Sequence, residues 1–280
     1  MTEQLFRVNN VELCCESFGN PADPAILLIM GAQASLVWWE EEFCRRLAAE
    51  GRFVIRYDNR DVGRSTVYEP GHPAYVFEDM VDDAAGILDV YGIERAHVAG
   101  MSMGGMLTQM MALRHPGRVR TVTLIATSNF APELPPMEEK VAQFFADAAS
   151  VDWSDKSAVT EFSVQKWRVL AGSKHSLDEP RIRALVEKEL ERSRSIASMT
   201  NHAILSGDFS YLARTAEISV PALIIHGTDD PIIPYAHGLS LAEKLPSARL
   251  LPLNGSGHEL HPQEWDNVIS AMAKHTAPQI

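Results

Sequence analysis

Short apolar runs alternate with amphipathic stretches along the first half of the chain. The opening "LFRVNNVELCCESFG" alternates around Asn9–Asn10, which predicts a β-hairpin. The apolar runs that follow have strand length, and the stretches between them repeat apolar residues at helical spacing. We predict strands at "AILLIMG", "RFVIRYD", "AHVAGM" and "VRTVTLIAT", and helices over residues 38–50, at "FEDMVDDAAGILDVYG" and at "GGMLTQMMALRHPG". This alternation indicates an α/β fold with a mainly parallel central sheet flanked by helices on both faces.

The alternation is interrupted once and then resumes. Over residues 129–212 the pattern is helical, as in "EEKVAQFFADAA", with no convincing strand. The strands "VPALIIHG" and "ARLLPLNG" follow, with a helix between them and a last helix near the end. We therefore predict a core formed by residues 1–128 and 213–280, into which a helical segment, residues 129–212, is inserted.

Composition and charge argue against some classes of binding partner. The chain has 280 residues, of which 46% are hydrophobic and 22% charged, so it can form a globular protein with a sizeable core. A formal net charge of −12 and a pI near 5.3 argue against nucleic acid and against an anionic membrane surface, because phosphate binding needs a basic surface. The longest apolar runs fall far short of a bilayer span.

The N-terminal segment and the cysteines indicate the cellular compartment. "MTEQLFRVNNVEL" contains no apolar stretch of signal-peptide length. Cys14, Cys15 and Cys44 cannot all pair within the chain, and the adjacent Cys14 and Cys15 would project to opposite faces of a strand. We expect three reduced packing residues and a cytoplasmic protein.

The stretch "HVAGMSMGGM" places Ser102 between Gly100 and Gly104, where a predicted strand meets a predicted helix. In that context G-x-S-x-G forms a sharp turn that exposes a nucleophilic serine. The glycines leave room for neighbouring backbone, and the helix that follows directs its free N–H groups toward the site. A dinucleotide-binding fingerprint would need glycine in place of Ser102, and no phosphate-loop lysine follows.

A serine hydroxyl needs a base that accepts its proton and a third group that orients the base. In folds of this type the chain order is serine, then an acid, then histidine. His258 follows a late strand on the short glycine-rich loop "NGSGHEL", and we predict it as the base, with His261 as its nearest rival. Asp229 and Asp230 both follow the strand "ALIIHG", and their positions alone do not decide which is the acid.

Four segments together carry a family likeness: "IMGA", "GMSMGG", "HGTDDPIIP" and "GSGHEL". Through them nearly the whole chain resembles the α/β-hydrolase superfamily, and the helical segment stands where that superfamily inserts a helical cap. "RYDNRDVGRS" and "GNPADPAILLIMG" are similar to the branch of carboxylic-ester hydrolases that contains aclacinomycin methylesterase. The resemblance implies a serine esterase that acts on a small-molecule ester through an acyl-enzyme, with no cofactor or metal.

The resemblance also implies residue roles. The acid loop of the superfamily is G-x-x-D, and Gly227 aligns its aspartate with Asp230. The backbone N–H groups of Ala32 and Met103 would form the oxyanion hole. By their position near the site, Trp38 and Met101 are candidate substrate contacts. Aromatic residues of the helical segment are candidates for lining an apolar pocket: Phe144, Phe145, Trp153, Phe162 and Trp167.

Several functions remain open at this point. Carbon–carbon bond hydrolases, lactonases and cofactor-free perhydrolases use the same triad, so only the substrate separates them from an ester hydrolase. A ligand-binding receptor with little turnover is the alternative from another class. Ser102 argues against haloalkane dehalogenases and epoxide hydrolases, whose nucleophile is an aspartate. The physiological substrate and the oligomeric state are not predicted.

Overall fold

An eight-stranded sheet lies at the centre of the protein in a computed structural model that describes residues 2–277. The strands are β1 (Gln4–Val8), β2 (Val11–Phe18), β3 (Ala25–Ile29), β4 (Phe53–Tyr57), β5 (Ala96–Met101), β6 (Val119–Ile125), β7 (Ala222–Gly227) and β8 (Ala248–Leu253). Their order across the sheet is β1-β2-β4-β3-β5-β6-β7-β8. β2 runs antiparallel to β1 and to β4, and the other neighbours are parallel. The predicted fold class, a mainly parallel sheet flanked by helices, is confirmed.

Helices cover both faces of this sheet. The helices of the chain are α1 (Glu41–Ala49), α2 (Phe77–Val90), α3 (Met103–Arg114), α4 (Glu139–Asp147), α5 (Lys156–Leu170), α6 (Glu179–Arg192), α7 (Ser210–Ala213), α8 (Ala236–Lys244) and α9 (Trp265–His275), of which α1, α2, α3, α8 and α9 pack on the sheet. Side chains alternate between the faces along a strand. Leu27 and Ile29 of β3 therefore pack with α2, α3 and α8, whereas Ile26 and Leu28 pack with α1 and α9. Because both faces are covered there, the central strand β3 is a continuous apolar run and is buried along its whole length.

The N-terminal hairpin turns at Asn9–Asn10, where φ is 45° and 68°. Two successive positive φ angles are what a two-residue type I′ turn requires, and asparagine tolerates them. Cys14 and Cys15 in β2 pack in different clusters, and they and Cys44 are buried free thiols. Burial raises the pKa of the Cys14 and Cys44 thiols to about 12, so both stay protonated and unreactive at neutral pH.

The helix predicted over residues 38–50 is shorter in the structure. α1 begins only at Glu41, and a 3₁₀ turn over Leu36–Trp38 precedes it. Asp58 Oδ1 accepts the backbone N–H of Leu36 at 2.8 Å. This long-range bond holds the chain in a separate turn, which local hydrophobic spacing does not reveal.

The chain between β6 and β7 is helical and contains no strand. It holds α4, α5 and α6, followed by a 3₁₀ helix over Ala197–Ala203 and by the short α7. Within residues 2–277, no helix is long and apolar enough to cross a membrane.

Arg192, at the end of α6, joins the helical segment to the core through a buried ion pair. Its Nη1 and Nη2 donate to the two carboxylate oxygens of Asp58 at 3.1 and 2.9 Å. Nη1 also donates to Ser35 Oγ at 3.0 Å. Both charged side chains are almost completely buried. Because Asp58 also accepts backbone N–H groups of Leu36 and Arg64, the ion pair is part of a network that fixes two loops of the core.

We expect Arg192→Met to lower the free energy of unfolding by about 3–5 kcal/mol, because it leaves the Asp58 carboxylate buried without its cation. Arg194→Met is the matched control, since Arg194 pairs with Glu12 at the exposed surface. Such a pair contributes about 1 kcal/mol or less. Urea unfolding followed by circular dichroism measures the free energy of unfolding of both variants. Equal losses in the two would show that the buried ion pair contributes no more to stability than the exposed one.

Candidate active site

Ser102 stands at a sharp turn between β5 and α3. Its φ of +54° lies in the left-handed region, which residues other than glycine rarely adopt, and its backbone N–H donates to Ile125 O at 2.9 Å. A Cβ at Gly104 would lie 2.1 Å from Ile29 O, and one at Gly100 would lie 2.0 Å from Gly104 O. Nothing larger than glycine fits at either position, which explains the "GMSMG" pattern.

His258 and Asp230 lie on the loops that follow the neighbouring strands β8 and β7. His258 Nδ1 and Asp230 Oδ2 are 2.7 Å apart, and both side chains are buried. Asp230 Oδ1 accepts the backbone N–H groups of Ile232 and Ile233 at 3.0 and 2.8 Å. The carboxylate is thus held as an acceptor, so His258 donates from Nδ1 and its Nε2 is left as an acceptor.

Opposing effects act on the pKa of Asp230. Burial alone would raise this pKa, but the charge and hydrogen bond of His258, together with the nearby His226 ring, outweigh burial and hold it well below its usual range. His226 Nε2 lies 3.5 Å from Asp230 Oδ2 and donates to Ile233 O at 2.7 Å. Asp230 is therefore ionised throughout the neutral pH range.

The neighbouring aspartate and the rival histidine are engaged elsewhere. Asp229 is exposed and accepts a hydrogen bond from a serine of the helical segment. His261 stacks on His175 with ring centroids 4.2 Å apart, and burial lowers the pKa of His261 to about 4. Of the candidates in the two loops, the structure brings Asp230 and His258 together.

Ser102 and His258 line one cavity of about 450 Å³ between the sheet and the helical segment. The helical segment supplies an apolar wall that includes Phe145, Trp153, Phe162, Trp167 and Leu170. A cavity of this size and character suits a small organic molecule. Within the described range 2–277, no group of three or more His, Cys, Asp or Glu side chains is arranged to hold a metal ion.

The turn after β3 brings Ala32 to the wall of this cavity, beside Ser102. A Cβ at Gly31 would lie 3.2 Å from Ser102 Cβ, which shows how closely the turn approaches the serine. Met103 follows Ser102 as the first residue of α3. Within residues 2–277, neither the Ala32 nor the Met103 backbone N–H has a hydrogen-bond partner. Free N–H groups beside a nucleophile are what an oxyanion hole requires.

His202, from the helical segment, holds this turn in place. Its Nδ1 accepts the backbone N–H of Gln33 at 2.9 Å, and its Nε2 donates to Arg60 O at 2.8 Å. Burial lowers the pKa of His202, which keeps the ring in the neutral form that this pair of bonds needs. Gln33 has a φ of +58°, so the bond stabilises an unusual backbone next to Ala32. The sequence suggested no site role for His202, because its partner Gln33 lies 169 positions away.

The two candidate substrate contacts have different positions. Met101 lines the cavity. Trp38 does not, because its Nε1 donates to Glu189 Oε2 at 2.7 Å and its ring lies against Trp167, with centroids 4.8 Å apart. Trp38 supports the wall from behind, which corrects the expectation that it contacts substrate. Phe144 is likewise outside the lining.

A family model for the alpha/beta hydrolase fold matches residues 24–264, and the chain belongs to this family. The resemblance seen in the sequence motifs is thereby confirmed. The chain is 31% identical to rhodomycin D methylesterase DauP from Streptomyces sp. (strain C5), over 99% of this chain and 98% of that protein. The family and this relative together support hydrolase activity.

Two solved structures are similar in fold. The 2-hydroxy-6-oxo-6-phenylhexa-2,4-dienoate hydrolase from Rhodococcus sp. strain RHA1 has a TM-score of 0.80 and 22% identity, over 98% of each chain. The enol-lactonase from Burkholderia xenovorans LB400 has a TM-score of 0.76 and 25% identity, over 97% of this chain and 99% of the other. The same fold therefore serves several hydrolytic reactions, and the substrate must be argued from the site.

Proposed function

We propose that this protein hydrolyses carboxylic esters through an acyl-enzyme formed on Ser102. The observation that carries the proposal is that Ser102, at a strained turn, and His258, bonded to Asp230, line the same apolar cavity. We further propose that the helical segment is the cap that determines specificity. Methyl esters are the first substrates to test, because the relative compared above is named a methylesterase.

In the proposed reaction, Ser102 Oγ attacks the ester carbonyl carbon while His258 Nε2 takes the hydroxyl proton. Asp230 accepts the hydrogen bond from His258 Nδ1 and stabilises the imidazolium that forms. The alcohol then leaves with the proton from His258. Water, losing a proton to His258, attacks the acyl carbon, and the carboxylic acid is released from the regenerated serine.

The developing negative charge on the carbonyl oxygen needs hydrogen-bond donors. We assign this role to the backbone N–H groups of Ala32 and Met103, with His202 fixing the turn that carries Ala32. One donor of this kind contributes about 3–4 kcal/mol to transition-state stabilisation. The N-terminus of α3 adds a favourable dipole at the same place.

We expect Asp230→Asn to lower kcat by about 10⁴-fold, because an amide at this position no longer stabilises the imidazolium or selects the required tautomer. Asp229→Asn is the matched control and should leave kcat near that of the wild type, because Asp229 faces solvent. Initial rates on one p-nitrophenyl ester, with circular dichroism to verify folding, measure both. Similar losses in the two variants would contradict the choice of acid.

A lactonase is the second candidate, supported by the likeness to the enol-lactonase. Initial rates on methyl esters, p-nitrophenyl esters and lactones distinguish the two candidates. The esterase proposal predicts the highest kcat/KM on an ester. A higher kcat/KM on a lactone would contradict the esterase proposal and support a lactonase. Tight binding of a ligand without turnover would favour a receptor.

A further inference from the structure

Lys166 lies on the face of α5 that lines the cavity. Phe162, Lys166 and Leu170 recur at every fourth position, which places them on one side of a helix, and all three line the cavity that contains Ser102. Lys166 is only 9% exposed. A lysine therefore stands between two apolar residues on the inward face, where hydrophobic packing alone would place a third apolar residue.

The ammonium group of Lys166 lies over the ring of Trp167, with Nζ 5.9 Å from the ring centroid. In the part of the chain that the structure describes, residues 2–277, it makes no hydrogen bond and no carboxylate lies within 4.0 Å. Glu189 is the acidic group whose charge acts on it, but Glu189 already accepts Trp38 Nε1 at 2.7 Å and the Ser35 backbone N–H at 3.4 Å. Burial lowers the pKa of Lys166, and Glu189 offsets part of that effect. An ammonium removed from water without a counterion costs several kcal/mol, so stability does not account for this lysine.

Other polar residues line the cavity beside Lys166, but within residues 2–277 no carboxylate does. Trp167 Nε1 is buried and has no hydrogen-bond partner among residues 2–277. Gln33 and Thr200 also line the cavity. Apart from these residues, Ser102 and His258, the lining is apolar. A cation in a largely apolar cavity is complementary to an anion.

We propose that Lys166 binds an anionic oxygen group of the substrate, so that the preferred ester carries a carboxylate or an ionised phenol in addition to its ester group. This inference rests on the proposed function, because it places the ester at Ser102 and the anion at Lys166 in the same cavity. In this arrangement Lys166 selects the substrate through its anionic group, and Ser102 attacks its ester carbonyl.

The first test compares matched methyl esters. Monomethyl esters of succinic, glutaric, adipic and suberic acids are compared with neutral methyl alkanoates of equal length, and the ratio of kcat/KM is measured. A charge-assisted hydrogen bond contributes a factor of about 10 to 100, so this ratio at the best length should fall by that factor in Lys166→Met. Lys156→Met, at the exposed start of the same helix, should leave the ratio unchanged.

A second pair of substrates distinguishes the source of the anion. Methyl 4-hydroxybenzoate and methyl 4-methoxybenzoate are compared at pH values above and below the ionisation of the phenol. If Lys166→Met lowers the kcat/KM ratio in the monomethyl ester series, the anion that Lys166 binds is a carboxylate. If it lowers the ratio only for the ionised phenol, the anion is a phenolate. Unchanged ratios in both series would overturn the inference.

Direct binding separates a failure of this inference from a failure of the proposed function. Adipate and 4-nitrophenolate are titrated by calorimetry into Ser102→Ala and into the double variant Ser102→Ala/Lys166→Met. Binding about 10 to 100 times tighter when Lys166 is present supports the inference even if no ester is hydrolysed. Equal affinities, or no binding to either protein, overturn it. Lys166→Met removes a buried charge that has no counterion and keeps an apolar side chain against Trp167, so it should fold stably, and Lys166→Gln is a second variant for the same comparison.

Discussion

Replacing Ser102 by alanine should lower kcat for ester hydrolysis by about 10⁴-fold or more, because no other group in the proposed mechanism can form the acyl-enzyme. Alanine meets the same backbone restrictions as serine at a φ of +54°, so the unfolding temperature should stay close to that of the wild type. Initial rates on p-nitrophenyl esters of increasing acyl length, together with thermal unfolding followed by circular dichroism, measure both quantities. The length profile of the wild type also reports the usable depth of the cavity.

Ser163→Ala is the control for this comparison. Ser163 is buried in α5, and its hydroxyl donates to Val159 O of the same helix at 2.8 Å. Its loss should leave the rates near those of the wild type. Wild-type rates in a folded Ser102→Ala protein would exclude Ser102 as the nucleophile. If the wild-type protein hydrolyses none of the esters, the esterase proposal is wrong, and lactones are the next substrates to test.

Gly104→Ala should destabilise the protein by about 3 kcal/mol or more. The added Cβ would lie 2.1 Å from Ile29 O and 2.8 Å from Met30 O, and both are backbone atoms at the end of the central strand β3. Neither can move without disturbing the sheet or the turn that carries Ala32. The activity of any folded fraction should therefore fall as well. Urea unfolding and initial rates on one ester measure the two effects.

Gly117→Ala provides the matched glycine control. Gly117 lies in the 3₁₀ turn Pro116–Arg118, and a Cβ there would meet no atom within 4 Å. Its effect on the free energy of unfolding should stay within about 0.5 kcal/mol. A Gly104→Ala protein as stable as Gly117→Ala would show that the elbow does not need the close approach described for it.

The fold and the polar centre of the site could be predicted because their signals are local. Ser102 follows β5 directly, Asp230 and His258 lie on the short loops that follow β7 and β8, and each lies near glycines that allow a tight turn. Since β5, β7 and β8 are parallel strands of one sheet, such loops meet at the same edge. The choice between the adjacent Asp229 and Asp230 rests on the resemblance to the G-x-x-D loop of the superfamily, because their positions alone do not decide it.

The walls of the cavity could not be predicted in the same way. Trp38 and Trp167 are both large aromatic residues near the site, and sequence spacing does not show that Trp167 faces the cavity while Trp38 stands behind it. That order depends on the bond from Trp38 to Glu189, which is 151 positions away. The positions of His202 and Lys166 at the site could not be predicted either, because they depend on how the helical segment packs on the core.

Covalent labelling tests the central claim most directly. The protein is incubated with an alkyl p-nitrophenyl phosphonate, an analogue of the tetrahedral intermediate, and the modified peptide is identified by mass spectrometry. We predict one phosphonyl group per chain, attached to Ser102, with release of one equivalent of p-nitrophenol and loss of ester hydrolysis in proportion to labelling. Modification of a different residue, or full inhibition without any adduct on Ser102, would contradict the account.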